Sequence, residues 1–228
     1  MRGKLFIIEG LDGSGKETQT KRLYNRLKEE KINIKKVEYP NYKSDSSALI
    51  KMYLNGEFGN NVEDVDAYVS STFYAVDRYA SYKTEWEDFY LNGGVVLADR
   101  YTSSNMIHQA SKIDGNEERD KYLQWLDEFE FDMYGLPRPT KVIFINMPPE
   151  YSKQLIANRD NKITGETKKD IHESNFEYLK KSYDNALNIA KTYNWTIIDC
   201  VKDGKLLTID QIHDMIYMEI KKELDKNI

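Results

Sequence analysis

Cysteine, histidine and proline are scarce in this chain of 228 residues, which contains one cysteine, three histidines and five prolines. The single cysteine, Cys200, excludes an intramolecular disulfide and predicts a reducing, cytoplasmic compartment. The three histidines lie far apart in the sequence, which argues against a histidine metal cluster. Long apolar runs near the N-terminus are missing as well, because residues 5–8 are too few for a signal peptide or a membrane span. We therefore expect a cytoplasmic protein that binds no membrane.

An excess of basic residues is also missing, since 33 lysines and arginines stand against 38 acidic residues and the formal net charge is −5. This balance argues against broad binding to nucleic acid. It permits a local basic site for a small anionic molecule. The chain shows no internal repeat, no low-complexity segment and no linker, so we expect a single α/β domain over residues 1–228.

A glycine-rich stretch near the N-terminus carries the strongest chemical signal. Gly10, Gly15 and Lys16 have the spacing G-x4-G-K, directly after four apolar residues and directly before a helical pattern. Such a loop points its backbone N–H groups at phosphate oxygens, while the helix N-terminus and the lysine add positive charge. We therefore predict a phosphate loop (P-loop) that binds a nucleotide. The predicted segment comprises Gly10, Leu11, Asp12, Gly13, Ser14, Gly15, Lys16, Glu17 and Thr18.

The residue after Lys16 departs from this motif. A serine or threonine hydroxyl normally ligates Mg²⁺ at that position, and this chain has Glu17. The Glu17 carboxylate is itself a hard oxygen ligand for Mg²⁺. Thr18 is the weaker alternative, because one residue along a helix turns the side chain by about 100°. A third interpretation is a loop that binds nucleotide without catalysis.

The rest of the chain alternates short apolar runs with helical patterns. The apolar runs predict five strands, at residues 5–8, 35–39, 95–98, 141–147 and 195–200. Helices are predicted after the glycine-rich loop, at residues 49–53, 62–91 and 171–193, after Pro148, and from Thr208 onward. This alternation indicates a five-stranded parallel sheet flanked by helices on both faces, with the ligand at the carboxyl ends of the strands. Apolar residues on more than one face of the segment 62–91 suggest contact with a second subunit.

Two further segments carry functional signals. Asp99 and Arg100 follow the predicted strand 95–98, and in P-loop enzymes an aspartate at such a strand end holds Mg²⁺ or its water beside the loop. Asp99 and Glu17 are therefore the predicted metal ligands. The polar segment 160–170 contains Gly165 and several lysines, with Arg159 at its root. It predicts a mobile lid, at about residues 159–172, that brings cations over the phosphates.

Taken together, the motifs resemble those of thymidylate kinases over nearly the whole chain. The segments that carry the resemblance are Glu9 to Lys16 with Thr18-Gln19, Asp77-Arg78, Asp99 to Asn105, and Leu136-Pro-Arg-Pro139. The resemblance implies a P-loop fold of the nucleoside monophosphate kinase type, a homodimer, and transfer of the γ-phosphoryl group of ATP to dTMP with Mg²⁺, giving dTDP.

The resemblance also implies roles for residues on the acceptor side. Asp12 resembles the acidic residue that approaches the sugar of the acceptor and the metal, and Arg78 and Arg100 resemble the pair that holds the acceptor phosphate and base. Tyr74 corresponds to the aromatic residue that stacks on thymine, with Phe73 as the alternative. Ser104 and Asn105 match positions that read the pyrimidine edge.

This chain departs from the family pattern in three more places. Asn41, Tyr42 and Lys43 stand where the family usually has an arginine for the acceptor phosphate; of these, Tyr42 is our candidate for acceptor contact. Gly13 stands where some members carry a catalytic arginine, and members without it have basic residues in the lid, as Arg159, Lys162, Lys168 and Lys169 are here. Thr140 replaces a common aspartate, which we do not interpret from the sequence.

Phosphoryl transfer requires alignment and charge stabilisation more than covalent chemistry, so no catalytic cysteine or histidine is expected. We predict that Lys16, Arg100 and either Arg159 or a lysine of the lid surround the transferring group, with Asp12 and Asp99 completing the catalytic set. Two alternatives stay open at this stage. One is a P-loop kinase for dUMP, another nucleoside monophosphate or a nucleoside, and the other is a regulator that binds nucleotide without catalysis.

Overall fold

The computed structural model describes residues 2–152 and 176–226. Its centre is a five-stranded sheet in the order β2-β3-β1-β4-β5, and every neighbouring pair of strands is parallel. The strands are β1 (Lys4–Glu9), β2 (Ile34–Glu38), β3 (Val95–Asp99), β4 (Lys141–Asn146) and β5 (Thr196–Asp199). The predicted five-stranded parallel sheet is thus confirmed, with each strand close to its predicted position.

Helices cover both faces of this sheet. They are α1 (Lys16–Glu29), α2 (Ala48–Leu54), α3 (Ala67–Ser81), α4 (Glu87–Leu91), α5 (Thr102–His108), α6 (Asn116–Asp127), α7 (Phe176–Thr192) and α8 (Ile209–Asp225). A small hairpin of β6 (Val201–Lys202) and β7 (Lys205–Leu206) precedes α8. Within the described ranges, no helix combines the length and the apolar character needed to cross a membrane.

The two faces of β1 belong to two different parts of the core. Phe6 and Ile8 pack with residues of α1 and α8, whereas Leu5 and Ile7 pack with Trp86 and other residues on the opposite face. Successive side chains of a strand point to opposite faces, so a strand that is covered on both sides is apolar throughout. This explains why the first strand appears in the sequence as a continuous apolar run.

The predicted helix 62–91 begins later than expected. Residues Val62–Asp64 form a separate short 3₁₀ turn, and α3 starts at Ala67, where the Asp66 carboxylate accepts hydrogen bonds from the N–H groups of Tyr68 and Val69. An aspartate at this position satisfies N–H groups that have no partner within the helix, and it therefore fixes the start of the helix. Beyond α3 the helical path continues through a π-helical turn, Tyr82–Trp86, into α4.

Other predicted helices are found as expected or lie partly outside the described residues. The final helix begins after Thr208, whose side chain forms a reciprocal cap with Gln211. The helix expected after Pro148 is described only to residue 152, and α7 is described from residue 176. The predicted lid, residues 159–172, lies outside the described residues. The helices α5 and α6 were not predicted.

Candidate active site

The loop between β1 and α1 is tightly folded. Gly13 and Gly15 have positive φ angles of 75° and 80°, which favour glycine. A Cβ atom on Gly10 would lie 2.6 Å from the Ser14 hydroxyl oxygen and 3.2 Å from the Ile145 carbonyl oxygen, so this position also requires glycine. The Leu11 side chain is buried in the core with Ile107 and Phe144. The Leu11 side chain therefore anchors the loop to the core, and the glycines allow its backbone to turn sharply.

The first residue of α1 is Lys16, and its side chain is almost completely buried. Its ammonium nitrogen lies 3.4 Å from Oδ1 of Asp12, within the same loop. The N-terminus of the helix and this ammonium group place positive charge at the end of the loop. Glu17 and Thr18 follow on the exposed side of the helix. This geometry suits the phosphate groups of a nucleotide.

Arg100 joins the end of β3 to the loop. Its Nη2 donates a hydrogen bond to Oδ1 of Asp12 over 2.8 Å, and its Nη1 lies 3.6 Å from Oε1 of Glu9. The backbone N–H of Arg100 donates to the Ile8 carbonyl oxygen over 3.1 Å, and the residue has a positive φ of 68°. A non-glycine residue rarely adopts this conformation, and such strained positions cluster at functional sites.

Neighbouring carboxylates stabilise the positive charge on Arg100. Burial lowers the pKa of an arginine, but the negative charges of Asp12, Glu9 and Asp99 outweigh burial and raise the Arg100 pKa above its ordinary value. Nη1 also donates to Nε2 of His108 over 3.0 Å. Because a guanidinium group cannot accept, His108 must accept through an unprotonated Nε2. Arg100 is therefore a permanently charged group with a fixed position.

Glu9, the last residue of β1, lies completely buried beneath the loop. Its Oε1 accepts a hydrogen bond from the Gly10 N–H over 3.0 Å, and its Oε2 accepts from the hydroxyl groups of Ser103 and Ser104 over 2.7 and 2.8 Å. A buried carboxylate requires such donors. Ser104, predicted to read the acceptor base, thus contacts Glu9, and it also accepts from Nη1 of Arg100 over 3.3 Å.

Asp99 lies at the carboxyl end of β3, directly beside β1 in the sheet. It is paired in register with Ile8, and its side chain is buried. Its backbone carbonyl accepts a hydrogen bond from the Tyr39 N–H over 3.0 Å. The loop after β1 and the aspartate after β3 therefore meet at the same edge of the sheet, as the order of the motifs predicts.

An aromatic cluster stands near α2 and α3. Tyr42, Phe73 and Tyr74 are half-buried and pack against a buried group formed by Ile50, Tyr53, Leu54 and Val65. Phe73 also contacts the half-exposed ring of Phe58, with 5.9 Å between ring centroids. The predicted stacking residues thus lie together with the predicted contact residue Tyr42. We call Tyr42, Phe73 and Tyr74 the aromatic wall.

The loop that carries Tyr42 is held in place by Asp77. This carboxylate accepts a hydrogen bond from the Asn41 N–H over 2.8 Å and from the Ser46 hydroxyl over 2.6 Å. Lys51 also donates to the Tyr42 carbonyl oxygen over 3.3 Å. Burial raises the pKa of Asp77 above its ordinary value. Asp77 therefore fastens the loop after β2 to α3.

Arg78, predicted to hold the acceptor, is bound by groups of the protein itself. It is only 1% exposed, and its Nε and Nη2 donate to both carboxylate oxygens of the fully buried Glu130. Nη1 donates to the Tyr101 carbonyl oxygen over 3.4 Å, and the Thr102 hydroxyl donates to Glu130. Burial lowers the Arg78 pKa, but the pairing with Glu130 outweighs it and raises the pKa. Arg78 is thus held inside the protein by a bidentate ion pair.

Asn105 is also more enclosed than its predicted role suggests. It is 1% exposed, and its amide nitrogen lies 3.4 Å from the Ser71 carbonyl oxygen on α3. Thr140, which we did not interpret from the sequence, accepts a hydrogen bond from the Leu5 N–H over 3.0 Å and so joins the starts of β1 and β4. Arg159 and the lysines at 162, 168 and 169 lie outside the described residues.

The partners of the predicted residues include groups that we did not select from the sequence. Glu130 lies 52 positions from Arg78, and no local pattern links the two. His108 follows Arg100 by eight positions, and the α5 helix that brings it back was not predicted. Glu9 could have been selected from the sequence, because it is an acidic residue at the end of a buried strand. We used it only as part of the motif that begins there.

A parallel sheet whose edge joins a phosphate loop to a charged strand end defines a P-loop NTPase of the nucleoside monophosphate kinase type. The family model described as thymidylate kinase matches residues 8–216. The chain therefore belongs to the thymidylate kinase family, and it is a phosphotransferase.

Relatives and a solved structure agree with this membership. The thymidylate kinase of Plasmodium falciparum is 28% identical over 221 residues, covering 97% of this chain and 91% of that protein. The thymidylate kinase of Caenorhabditis elegans is 31% identical over 167 residues, covering 67% of each chain. The structure of thymidylate kinase from Candida albicans covers 97% of this chain and 92% of its own, with a TM-score of 0.71 and 24% identity, which supports the fold.

Proposed function

We propose that this protein transfers the γ-phosphoryl group of ATP to dTMP and produces dTDP. The observation that carries the proposal is the hydrogen bond of 2.8 Å between Arg100 and Asp12, because it brings the end of β3 to the phosphate loop. The aromatic wall supports an acceptor that contains a nucleobase. Membership of the thymidylate kinase family supports dTMP in particular.

On the donor side, the loop of residues 10–18 holds the phosphates of ATP through backbone N–H groups other than that of Gly10, which donates to Glu9. Lys16 lies at the N-terminus of α1 with its ammonium group beside Asp12, and it neutralises the outer phosphates. Gly10, Gly13 and Gly15 allow the backbone to approach them closely.

The transfer itself needs alignment and positive charge. An oxygen of the dTMP phosphate forms a bond to the γ-phosphorus while the bond from that phosphorus to the β–γ bridging oxygen breaks, and ADP leaves with the bond electrons. The attacking oxygen is already ionised at neutral pH, so no general base is required. Lys16 and Arg100 stabilise the charge on the transferring group, and Arg159 adds a third cation. Asp12 holds Lys16 and Arg100 at the same place.

We propose that Mg²⁺ binds beside the phosphate loop, because the carboxylates here have the chemistry that this ion requires. Asp99, buried at the strand end, and Glu17, exposed beside the loop, would supply hard carboxylate oxygens. Among the described residues, no group of three or more histidine, cysteine, aspartate or glutamate side chains forms a complete metal site. Mg²⁺ typically uses one or two protein carboxylates together with phosphate oxygens, and when bound it neutralises phosphate charge.

On the acceptor side, Tyr74 stacks on the base with Phe73 beside it, and Tyr42 closes the same wall. Asn105 and Ser104 lie on α5, and we assign them contact with the base, while Arg100 holds the acceptor phosphate. Arg78 lies on the same helix as Phe73 and Tyr74 and is bound to Glu130. We propose that this pair holds the helix in position beside the acceptor, while the acceptor contact expected from the resemblance stays a prediction.

The assembly we propose is a homodimer formed through α3. Val69, Val76 and Tyr79 lie on this helix and are 48%, 43% and 41% exposed. Apolar residues that recur at this spacing form one exposed stripe, which a second copy would cover. Light scattering with Val76→Lys tests this, since the charge should shift the protein to monomers. The cytoplasmic location stays a prediction that cell fractionation would test.

The test of the function is a coupled assay of ADP release with a panel of acceptors, run with and without Mg²⁺. We expect the highest kcat/KM with dTMP, strict dependence on Mg²⁺, and losses of several orders of magnitude for Lys16→Ala and Arg100→Ala. Arg22→Ala is the matched control, because Arg22 forms an exposed ion pair with Asp210. Preference for another nucleoside monophosphate would overturn the acceptor assignment. Tight ATP binding without any product would instead favour a regulator.

A further inference from the structure

Lys112 is a half-buried lysine for which the proposed reaction has no use. It ends a short 3₁₀ turn after α5, Ala110–Lys112. Its ammonium nitrogen donates to the Tyr53 hydroxyl over 2.8 Å, to the Val65 carbonyl oxygen over 2.9 Å and to the Ser70 hydroxyl over 3.3 Å. An ammonium group has three N–H donors, and each of them has an acceptor here.

These three acceptors come from separate segments of the chain. Tyr53 lies on α2, Val65 precedes α3, and Ser70 lies in the first half of α3. Ser70 also donates to Oε1 of Gln109 over 2.7 Å. Lys112 therefore ties α2 and α3 to the segment that follows α5.

The contacts of Lys112 lie directly behind the aromatic wall. Tyr53 and Val65 belong to the buried group on which Tyr42, Phe73 and Tyr74 pack. The ammonium nitrogen is also 5.0 Å from the centroid of the Tyr53 ring, within the range of a cation–π contact. A shift of Tyr53 or of the start of α3 would move the residues that contact the acceptor base.

We propose that the charged Lys112 ammonium group is a positioning residue that fixes the aromatic wall and thereby sets the affinity for the acceptor, without contacting it. This rests on the proposed function, in which the wall holds the nucleobase. Hydrogen bonds from a charged donor are roughly twice as strong as neutral ones. Loss of the charge should therefore loosen the wall and leave the ATP side unchanged.

The surroundings of Lys112 lower its pKa into a pH range in which the enzyme can be assayed. Burial lowers the Lys112 pKa to about 8, against smaller opposing effects of Asp66 and Glu63. The polar groups facing it are Tyr53 from α2 and Ser70 from α3, and the two carboxylates lie on the segment before α3. Above this pH the amine keeps two N–H donors and no charge, so acceptor affinity should fall as the pH rises.

Global stability should change in the opposite direction. Because the folded pKa lies below that of the unfolded chain, the unfolded state binds more protons between the two values. The contribution of Lys112 to the free energy of unfolding therefore rises with pH above about 8. If Lys112 had a purely structural role, the acceptor affinity would change with pH in the same direction as the stability. If Lys112 positions the wall, the acceptor affinity falls with rising pH while the stability increases.

The experiment compares the KM for dTMP and the KM for ATP from about pH 6.5 to about pH 9.5, a range that spans the titration of Lys112. The proteins are the wild type, Lys112→Arg and Lys112→Met, with Lys121→Met as the control, because Lys121 is exposed on α6 and pairs with Glu117 and Glu118. Each variant is checked by circular dichroism.

We expect the wild-type KM for dTMP to rise roughly five-fold across this range, corresponding to one weakened hydrogen bond. Arginine stays charged throughout, so Lys112→Arg should keep a low and flat profile, and Lys112→Met a high and flat one. The KM for ATP should not follow the titration in any of the proteins, and Lys121→Met should match the wild type. If Lys112→Met fails to fold, the flat profile of Lys112→Arg still tests the proposal.

A dTMP profile of the same shape in the wild type and Lys112→Arg would overturn the inference while leaving the proposed function intact. Parallel changes in both KM values would overturn it as well. A wild-type protein that does not phosphorylate dTMP at any pH would overturn both.

Discussion

Arg100 and Lys16 share one carboxylate oxygen, Oδ1 of Asp12, at distances of 2.8 and 3.4 Å. Two cations so close together repel each other, and the shared carboxylate offsets that repulsion. Asp12 thus holds Lys16 of the phosphate loop close to Arg100 at the end of β3 before any phosphate binds.

This relationship predicts a strong effect of Asp12→Asn. Without the negative charge, Lys16 and Arg100 should separate, and kcat for dTMP should fall roughly 100-fold or more, as when a group that stabilises the transition state is lost. The measurement is steady-state kinetics in the coupled ADP assay. Asp210→Asn is the matched control, because Asp210 forms an exposed pair with Arg22. Equal kcat values in the two variants would contradict this role of Asp12.

The buried pair of Arg78 and Glu130 predicts a large loss of stability in Glu130→Gln. Removing one charge leaves the other buried without its partner, which typically costs about 3–5 kcal/mol of the free energy of unfolding. Urea unfolding followed by circular dichroism measures this. Asp127→Asn serves as the control, because its pair with Arg138 is exposed and an exposed pair contributes about 1 kcal/mol or less. Similar urea midpoints for both variants would count against the buried pair.

Local sequence signals predicted much of this fold and site. Gly10, Gly15 and Lys16 define a loop whose backbone conformation depends on a few adjacent residues. Thr208 was correctly identified as the start of the final helix, because its cap is formed within three residues. Asp66 offered the same kind of signal for α3, but the apolar residues before it extended the predicted helix too far.

Contacts that form only through tertiary packing could not be predicted from the sequence. Glu130 and Arg78 are 52 positions apart, and therefore no local pattern predicts their ion pair. For Arg78 the resemblance suggested only a contact with the acceptor. The helix α6 was not predicted because its mostly polar sequence buries few residues, among them Tyr122, Leu123 and Leu126. Such helices show a weak apolar periodicity, and the tertiary contacts that stabilise them are not local.

His213 predicts an acid sensitivity of the packing between α1 and α8. Its pKa is lowered, first by burial and then by Arg26 and Arg22 on α1, against the smaller effects of Asp214 and Asp210. Its Nδ1 and the Oε1 of the buried Gln19 have no hydrogen-bond partner among the described residues. Since the unfolded chain binds a proton more readily, stability should fall as the pH drops below about 6.5.

The variant His213→Leu removes both the titration and a buried polar atom. Its free energy of unfolding should decrease less than that of the wild type between about pH 7 and pH 5. At neutral pH it should be as stable as the wild type or more so, because an apolar side chain replaces an unsatisfied polar group. Parallel curves of stability against pH for the two proteins would show that His213 does not cause the acid sensitivity.

Asp77 predicts a separation between acceptor affinity and stability. Asp77→Ala removes the acceptor for both the Asn41 N–H and the Ser46 hydroxyl, so the loop with Tyr42 should loosen and the KM for dTMP should rise roughly ten-fold, with the KM for ATP unchanged. Asp77→Asn keeps an oxygen for Asn41 and should raise the KM less. Glu87→Ala on α4 is the control, since Glu87 pairs with the exposed Lys83.

The pH dependence of stability distinguishes this role from a general contribution to folding. Because burial raises the Asp77 pKa, the folded protein binds this proton more tightly than the unfolded chain does, and the resulting contribution to stability is lost as the pH rises through the folded pKa. Asparagine does not titrate, so Asp77→Asn should gain stability relative to the wild type as the pH rises from about 4. A variant that is at least as stable at neutral pH and still binds dTMP more weakly would show that Asp77 positions the loop. Unchanged dTMP affinity in both Asp77 variants would show that the loop does not depend on it.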